Sequence, residues 1–405
     1  MSRMREQAGL SLIELMIALA IGTVLVLGLV EVFAASRTSY QLSEGLSRVQ
    51  ENGRFAVDYL QRDLRMAGHF GCVNDQAHAR NTPPGMDTLF GAAATTELQF
   101  GTSIQGYEAS DTEPGKDVAL ATTPAIGGNA WEPALPAKIA AATANRVVGS
   151  DMIVLRYLAP EGVPVTLIGG TPTAPEFTFD KARWDVLRSG VDNPGMFGIA
   201  DCMNATVFQA SSDSDGPNGK IVVATGGKAP LNATAFSKVF TAGQAVLYRA
   251  ESAVYYVGLN ATTGLPSLYR VRFEAAPGGA VAGNPEELVE GIENMQLLYG
   301  QDSEIDPTKA PSGYINRQKV AGGSDSIQVT TGLTPEQSWR LVGAVRVGLV
   351  AVSPNPAAAF QADETADNGG RKLEAAGVEF TAPNDARYRT TYQTTIALRN
   401  RLYGN

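Results

Sequence analysis

The run from Leu10 to Val30 is the feature that most constrains this chain, because it is apolar throughout and carries a single charge, Glu14. Its twenty-one residues, at about 1.5 Å rise per helical residue, reach about 30 Å, the thickness of a bilayer core. Arg3 and Arg5 precede it. A secretory signal peptide has a shorter apolar region that ends at an Ala-x-Ala-like site. Here Ala18-Leu19-Ala20 falls in the middle of the run, so that reading fits poorly. A plain membrane anchor explains the length but not Glu14, since a carboxylate in lipid is expensive unless it is paired.

The pattern beyond the apolar run is helical. Small or apolar residues recur at Leu42, Leu46, Val49, Gly53, Ala56, Leu60, Leu64 and Ala67, close to the 3.6-residue period of one helix face. Arg48, Glu51, Arg62 and Asp63 fall off this stripe and are expected on the water-exposed face. Proline is absent from Met1 to Ala67, so nothing forces a break at the membrane surface. One helix from Leu10 to Ala67 would be roughly 87 Å long, with Gly68 as its stop.

Gly9-Leu10-Ser11-Leu12-Ile13-Glu14 resembles the class III signal of type IV prepilins, in which a Gly precedes an apolar residue and a Glu follows. The resemblance implies cleavage after Gly9 by a prepilin peptidase and methylation of the new terminus at Leu10. It also implies that Glu14 pairs with the N-terminal amine of a neighbouring subunit, which agrees with the need of a buried carboxylate for a partner. The family's usual residue after the cut is Phe; Leu10 keeps the apolar character. Gln50-Glu51-Asn52-Gly53-Arg54-Phe55-Ala56 and Arg65-Met66-Ala67-Gly68-His69-Phe70-Gly71-Cys72 resemble the segment after the membrane helix in PilW-type minor pilins. Gly198-Ile199-Ala200-Asp201-Cys202 is similar to the region of that family's second cysteine, and Thr394 to Leu402 to its closing strand. The likeness is dense over residues 7–75, patchy over 145–300 and returns over 340–402. Residues 76–145 and 300–335 match nothing.

The rest of the chain reads as a β-rich head. Candidate strands are 152–158, 220–224, 245–249, 254–259, 267–273, 295–299, 342–352 and 392–398, short and rich in Val, Ile and Tyr. Asn260 to Gly264 reads as a hairpin turn between two of them. The expected fold is α+β and type IV pilin-like: one long N-terminal helix packed on a large, mainly antiparallel β head. The expected organisation is a leader over 1–9, a transmembrane and assembly helix over 10–35, its amphipathic continuation over 36–68, and a periplasmic head over 69–405. Insertions fall at 76–145 and 300–335, and the head is large enough for two subdomains. Thr112 to Pro136 and Gln361 to Gly370 read as surface loops. The formal charge of −9 and the absence of long basic runs argue against nucleic acid as a partner.

The side chains that could carry chemistry are few. Cys72 and Cys202 are the only cysteines and His69 and His78 the only histidines. Their spacing matches no common zinc module, and an oxidising periplasm favours a Cys72–Cys202 disulfide over free thiols or a metal site. Asp213-Ser-Asp215-Gly216 reads as a turn, because an EF-hand register would put Val222 where a bidentate Glu belongs. Thr225-Gly-Gly-Lys228 lacks the remaining residues of a phosphate loop. Glu286-Glu287 and Asp363-Glu364 lie in loop-like sequence and read as solvated. No catalytic residue, cofactor or metal is expected. The resemblance implies a minor pilin that helps initiate pilus assembly at the inner membrane, anchored by one span with its N-terminus cytoplasmic and its head periplasmic. The partners it implies are other minor pilins, the major pilin, the prepilin peptidase and the assembly platform, with a tip adhesin as a further candidate. A minor pseudopilin of type II secretion and a membrane-anchored periplasmic enzyme or ligand-binding domain are the alternatives.

Overall fold

A helix that begins in an apolar run and never meets a proline has no reason to stop where that run ends, and it does not. In a computed structural model describing residues 11–73, 85–91, 96–212, 219–306, 309, 311–357 and 371–402, one helix spans Leu12–Leu64, about 80 Å at 1.5 Å per residue. It ends three residues before the expected Ala67. The Met66 N–H bonds to the Asp63 carbonyl and the Ala67 N–H to the Leu64 carbonyl, tightening the last turn. Gly68 then takes a left-handed φ of 76°, a conformation that favours glycine.

The two halves of the helix differ in what they touch. From Leu12 to Phe33 every long apolar side chain is exposed by half or more. Thr23 and Thr38 return their hydroxyls to the carbonyls four residues back, 2.7 and 3.0 Å away, so neither presents an unpaired donor to an apolar surround. Contact with the head begins at Gly45, followed by Val49, Gly53, Ala56, Leu60, Asp63 and Leu64 as the buried face. Phe55 and Tyr59 remain on the outer face.

That face lies on a four-stranded antiparallel sheet in the order Ile315–Lys319, Ile292–Asp302, Val342–Val352, Arg389–Ala397. Val49, Ala56, Leu60 and Leu64 share one core with Met295, Leu297, Val345, Val347, Leu349 and Ile396. Three side chains fasten the helix edges: the Asn52 amide donates to the Glu290 carbonyl at 2.9 Å, the Tyr392 hydroxyl to the Val49 carbonyl at 3.2 Å, and the Asn400 amide to the Arg65 carbonyl at 2.9 Å. The Tyr392 ring lies directly over Gly53, in space that a Cβ would occupy.

A twelve-stranded sheet forms most of the rest of the head, beside a small three-stranded sheet of Lys372–Ala375, Val378–Thr381 and Asp117–Ala119. Its axis is Val246–Leu259, fourteen residues long. Val246 to Arg249 pairs with Met196–Ala200, and Ala250 to Tyr255 with Met152–Leu158. The far half also pairs with Pro266–Glu274, across the hairpin expected at Asn260 to Gly264. Around its first half, Phe177, Phe179, Phe197, Phe208, Phe236 and Phe240 fill a second core, which makes a lobe between residues 159 and 247. Within the stretch expected to be loop, Asp117–Ala119 pairs in parallel with Val378–Thr381, and Trp131–Glu132 pairs with the strand Ile104–Ala109. The stretch from Gln361 to Gly370 lies outside the described residues.

The layout is α+β and pilin-like, as the sequence leads one to expect. Three expectations need correction. The strands expected at 245–249 and 254–259 are one strand: Arg249, Glu251 and Ser252, which look like a break, are buried, Arg249 and Glu251 neutralise each other, and the Ser252 hydroxyl donates to the Glu97 carbonyl. Asp63 lies on the buried side of the helix, with a partner in the head. Glu286 and Glu287 sit on the edge strand Ala282–Glu290, where Pro285 and the acids discourage pairing with another sheet, and Glu286 holds Arg270 at 2.9 Å.

The Gly53–Tyr392 contact is testable. Gly53→Leu should destabilise an oxidised fragment starting at Ser39, which retains every buried helix position, by about 1–3 kcal/mol in urea unfolding. Adding Tyr392→Ala should recover part of the loss, because it removes the ring that the new side chain strikes.

Candidate functional site: the stem and its junction with the head

Site residues fall at both ends of the long helix. At the start, Ser11 has an extended backbone (φ −72°, ψ 147°) and caps the helix, with Glu14 as the reciprocal member of a capping box. The Ser11 N–H donates to Glu14 Oε2 at 3.0 Å, the Ser11 hydroxyl donates to the same oxygen at 3.0 Å, and Ser11 Oγ accepts from the Glu14 N–H at 3.3 Å. Gly9 and Leu10 lie outside the described residues.

At the other end the helix delivers a charge into the head. The Asp63 carboxylate receives Arg270 Nη1 at 3.2 Å and accepts a hydrogen bond from the Tyr255 hydroxyl. Burial and the facing Asp63 raise the Tyr255 phenol far above its ordinary value, so it stays a donor. Arg270 reaches on to Glu286. One strand over, Glu251 takes Arg249 at 2.5 Å, Arg272 at 3.4 Å and the Tyr157 hydroxyl at 3.1 Å. Burial alone would raise the Glu251 carboxyl, but Arg249 and Arg272 outweigh it and hold the group below its usual value. Buried charges at this density survive only when each has a partner.

Just beyond, covalent and hydrogen bonds repeat the tie. Cys72 and Cys202 are joined, with Cα atoms 4.7 Å apart. The Gly68 N–H donates to the Arg156 carbonyl at 3.3 Å. His69 Nδ1 bonds the Leu158 carbonyl at 2.9 Å and its ring meets Tyr248 edge-on, which gives this histidine a structural place. His78 and Asp213 to Gly216 lie outside the described residues, as do Asp363 and Glu364. Among the described residues, no cluster of His, Cys, Asp and Glu has the geometry for a metal ion. A cleft of about 580 Å³ runs between Phe90, Gln105 and Pro133 on one side and Gln328, Glu336 and Trp339 on the other. Glu336 is the titratable side chain in its lining, and Arg340 holds it at 2.6 Å.

One group that sequence reasoning passed over joins the two sheets. Asp151 accepts the Ala109 N–H at 2.9 Å and the Leu297 N–H at 2.8 Å, one from each sheet. Glu108 lies beside it. Burial, with the Asp151 charge adding, pushes Glu108 up to about 10, and burial pushes Asp151 up to about 7. Its two N–H bonds favour the ion at Asp151, so the proton resides on Glu108. Glu108 and Asp151 are far apart in sequence and meet only because their two strands pair, so the sequence carries no signal for this arrangement.

The comparisons with known proteins fall on this frame. The family model described as Type IV Pilus-assembly protein W matches residues 254–400, and the Prokaryotic N-terminal methylation motif matches residues 4–30. This is a PilW-like, type IV pilus-related pilin. No curated protein and no solved structure matches the chain. The PilW match begins in the far half of Val246–Leu259 and covers the whole four-stranded sheet under the helix, and it also takes in Arg270, on the strand Pro266–Glu274, which receives Asp63. The lobe between residues 159 and 247 lies outside both matched stretches.

Two measurements test the junction. Asp63→Ala should lower the stability of the oxidised fragment by about 3 kcal/mol, the lower end of the range for breaking a buried pair, because Arg270 keeps Glu286. The acid pair sets a pH dependence of the opposite sense to acid unfolding. Glu108 and Asp151 bind protons more tightly folded than unfolded, so their contribution is complete below pH 4 and is lost as pH rises towards their folded values. The stability obtained from urea unfolding should therefore fall as pH rises above 5. Glu108→Gln should flatten that slope and raise stability at pH 8.

Proposed function

We propose that this pilin is a minor subunit that helps initiate type IV pilus assembly at the inner membrane and is incorporated near the pilus tip with other minor pilins. The observation that carries the reading is the helix from Leu12 to Val30, exposed on all sides and without a charge except the Glu14 carboxylate near its start. A monomer can bury the apolar surface in lipid, but lipid offers no partner to Glu14. A neighbouring subunit with a free N-terminal amine satisfies both requirements together.

On this reading residues 1–9 are a cytoplasmic leader that the prepilin peptidase removes after Gly9, and the new terminus at Leu10 is methylated. Residues 10–35 span the membrane and later enter the fibre, residues 36–68 carry the helix outward, and residues 69–405 form the periplasmic head. The role is structural rather than catalytic. Its partners are other minor pilins, the major pilin and the assembly platform, with a tip adhesin as a further candidate for the head. The role rests on kinetics: a fibre that grows by addition at its base needs a first assembly, and a scarce subunit can control that step.

A deletion strain tests this. Surface pili should fall sharply while the major subunit still accumulates in the inner membrane. Glu14→Ala should insert and be cleaved normally, with Leu10 as the first residue on N-terminal sequencing, yet co-purify poorly with the other minor pilins. Normal piliation of the deletion strain would remove the initiating role. Failure of exoprotein secretion with normal pili would move the chain to the pseudopilins.

A further inference from the structure

We propose that the cleft between the edge of the twelve-stranded sheet and the short helix Pro335–Arg340 is a binding site for a neutral saccharide. The inference goes beyond the assembly role and does not depend on it. The volume of about 580 Å³ falls in the range of small-molecule sites. One wall comes from residues 88–105 and Pro133, outside both matched stretches, and the other from residues 328–339, inside the PilW match. The walls are fixed from within. Arg156 is fully buried, and its guanidinium is directed at a single loop, donating to the carbonyls of Thr96, Glu97 and Thr102. From the opposite wall, Arg340 donates to the Gly101 carbonyl at 3.2 Å through two of its nitrogens and holds Glu336 at 2.6 Å. A buried guanidinium is costly. A loop held by two arginines is ordered before any ligand arrives, which lowers the cost of binding one.

The groups left open in this cleft decide the kind of ligand. Main-chain donors on the rim already have partners: the Thr88 N–H donates to Asp87 Oδ1 at 2.8 Å, the Phe90 N–H to Thr88 Oγ1 at 3.2 Å and the Thr102 N–H to the Gln99 carbonyl at 2.9 Å. An extended peptide needs such groups free to add a strand. The unpaired groups are on side chains instead. The amides of Gln99, Gln105 and Gln328 line both walls and take no side-chain hydrogen bond among the described residues. Each amide donates and accepts, as a sugar hydroxyl does. Phe90, Pro133 and Pro335 add apolar surface, against which the C–H face of a sugar ring packs. Glu336 is already neutralised by Arg340, so the lining offers no free charge to an ionic ligand.

Calorimetric titration of the full-length, oxidised chain in detergent tests the assignment, using a panel of neutral oligosaccharides ending in glucose, galactose, mannose, fucose or an N-acetylhexosamine. At least one should bind saturably, while oligogalacturonate and an uncharged peptide of threonine and glycine should not. Gln105→Ala and Gln328→Ala, from opposite walls, should each weaken binding about fivefold, the equivalent of one net hydrogen bond, with circular dichroism and urea midpoint unchanged. Gln318→Ala, on the exposed edge strand Ile315–Lys319, should leave binding as it was. Failure of every neutral saccharide to bind would overturn the proposal. Binding that both wall substitutions leave intact would also overturn it, by placing the sugar elsewhere on the chain. Binding of the peptide without any saccharide, or of oligogalacturonate as tightly as the neutral sugars, would overturn the ligand class. The readout involves no other pilin, so none of these outcomes touches the assembly reading.

Discussion

The ion pair between Asp63 and Arg270 is the joint on which the rest of the molecule depends. A long helix that is half exposed to nothing of its own needs one firm attachment, and apolar packing alone is permissive about register. Val49, Ala56 and Leu60 could slide by a turn along the sheet and still bury similar area. A charge at 3.2 Å from a buried guanidinium cannot, because every other register leaves the Asp63 carboxylate desolvated and without its cation. The pair therefore sets where the helix stops relative to the strands, and Gly53 then falls under the Tyr392 ring and Asn52 against the Glu290 carbonyl.

The strand Val246–Leu259 distributes that constraint. Tyr255 touches Asp63 directly, and Glu251, four residues earlier, gathers Arg249, Arg272 and Tyr157. The same strand pairs at its beginning with Met196–Ala200, the edge of the aromatic-filled lobe. The lobe and the stem thus share one backbone, and the Cys72–Cys202 bond closes the triangle a few residues past the helix end. The PilW match starts partway along this strand, so it takes in the helix-bearing sheet and leaves the lobe outside it.

What was legible in the sequence follows the strength of the local pattern. The apolar run, the helical stripe, the turn at Asn260 and the strands at Met152–Leu158 and Val342–Val352 are written in periodicity and turn chemistry, which are local. The long strand was not legible as one element, because Arg249 and Glu251 look like a surface break until Arg272 and Tyr157 arrive from elsewhere in the chain. Asp63 was misread for the same reason: an acid one position before Leu64 on the apolar stripe reads as solvated unless its cation is known, and Arg270 is more than two hundred residues away. Glu108 and Asp151 were invisible, since neither residue type announces that it will share a buried seam.

The ties between stem and head gather at the far end of the helix. Asp63, Gly68, His69 and Cys72 lie within ten residues, while toward the near end, at Gly45, contact is limited to close apolar packing against Ala357 and Ser353. A stem fixed near its outer end leaves its apolar N-terminal portion clear of the head's core. Load applied along such a stem reaches the head at a charge pair, a disulfide and a backbone bond arranged close together, and is passed to Val246–Leu259, a strand bonded on both sides. The polar groups that make the head's interior expensive to bury are thus also those that keep the helix from slipping through it.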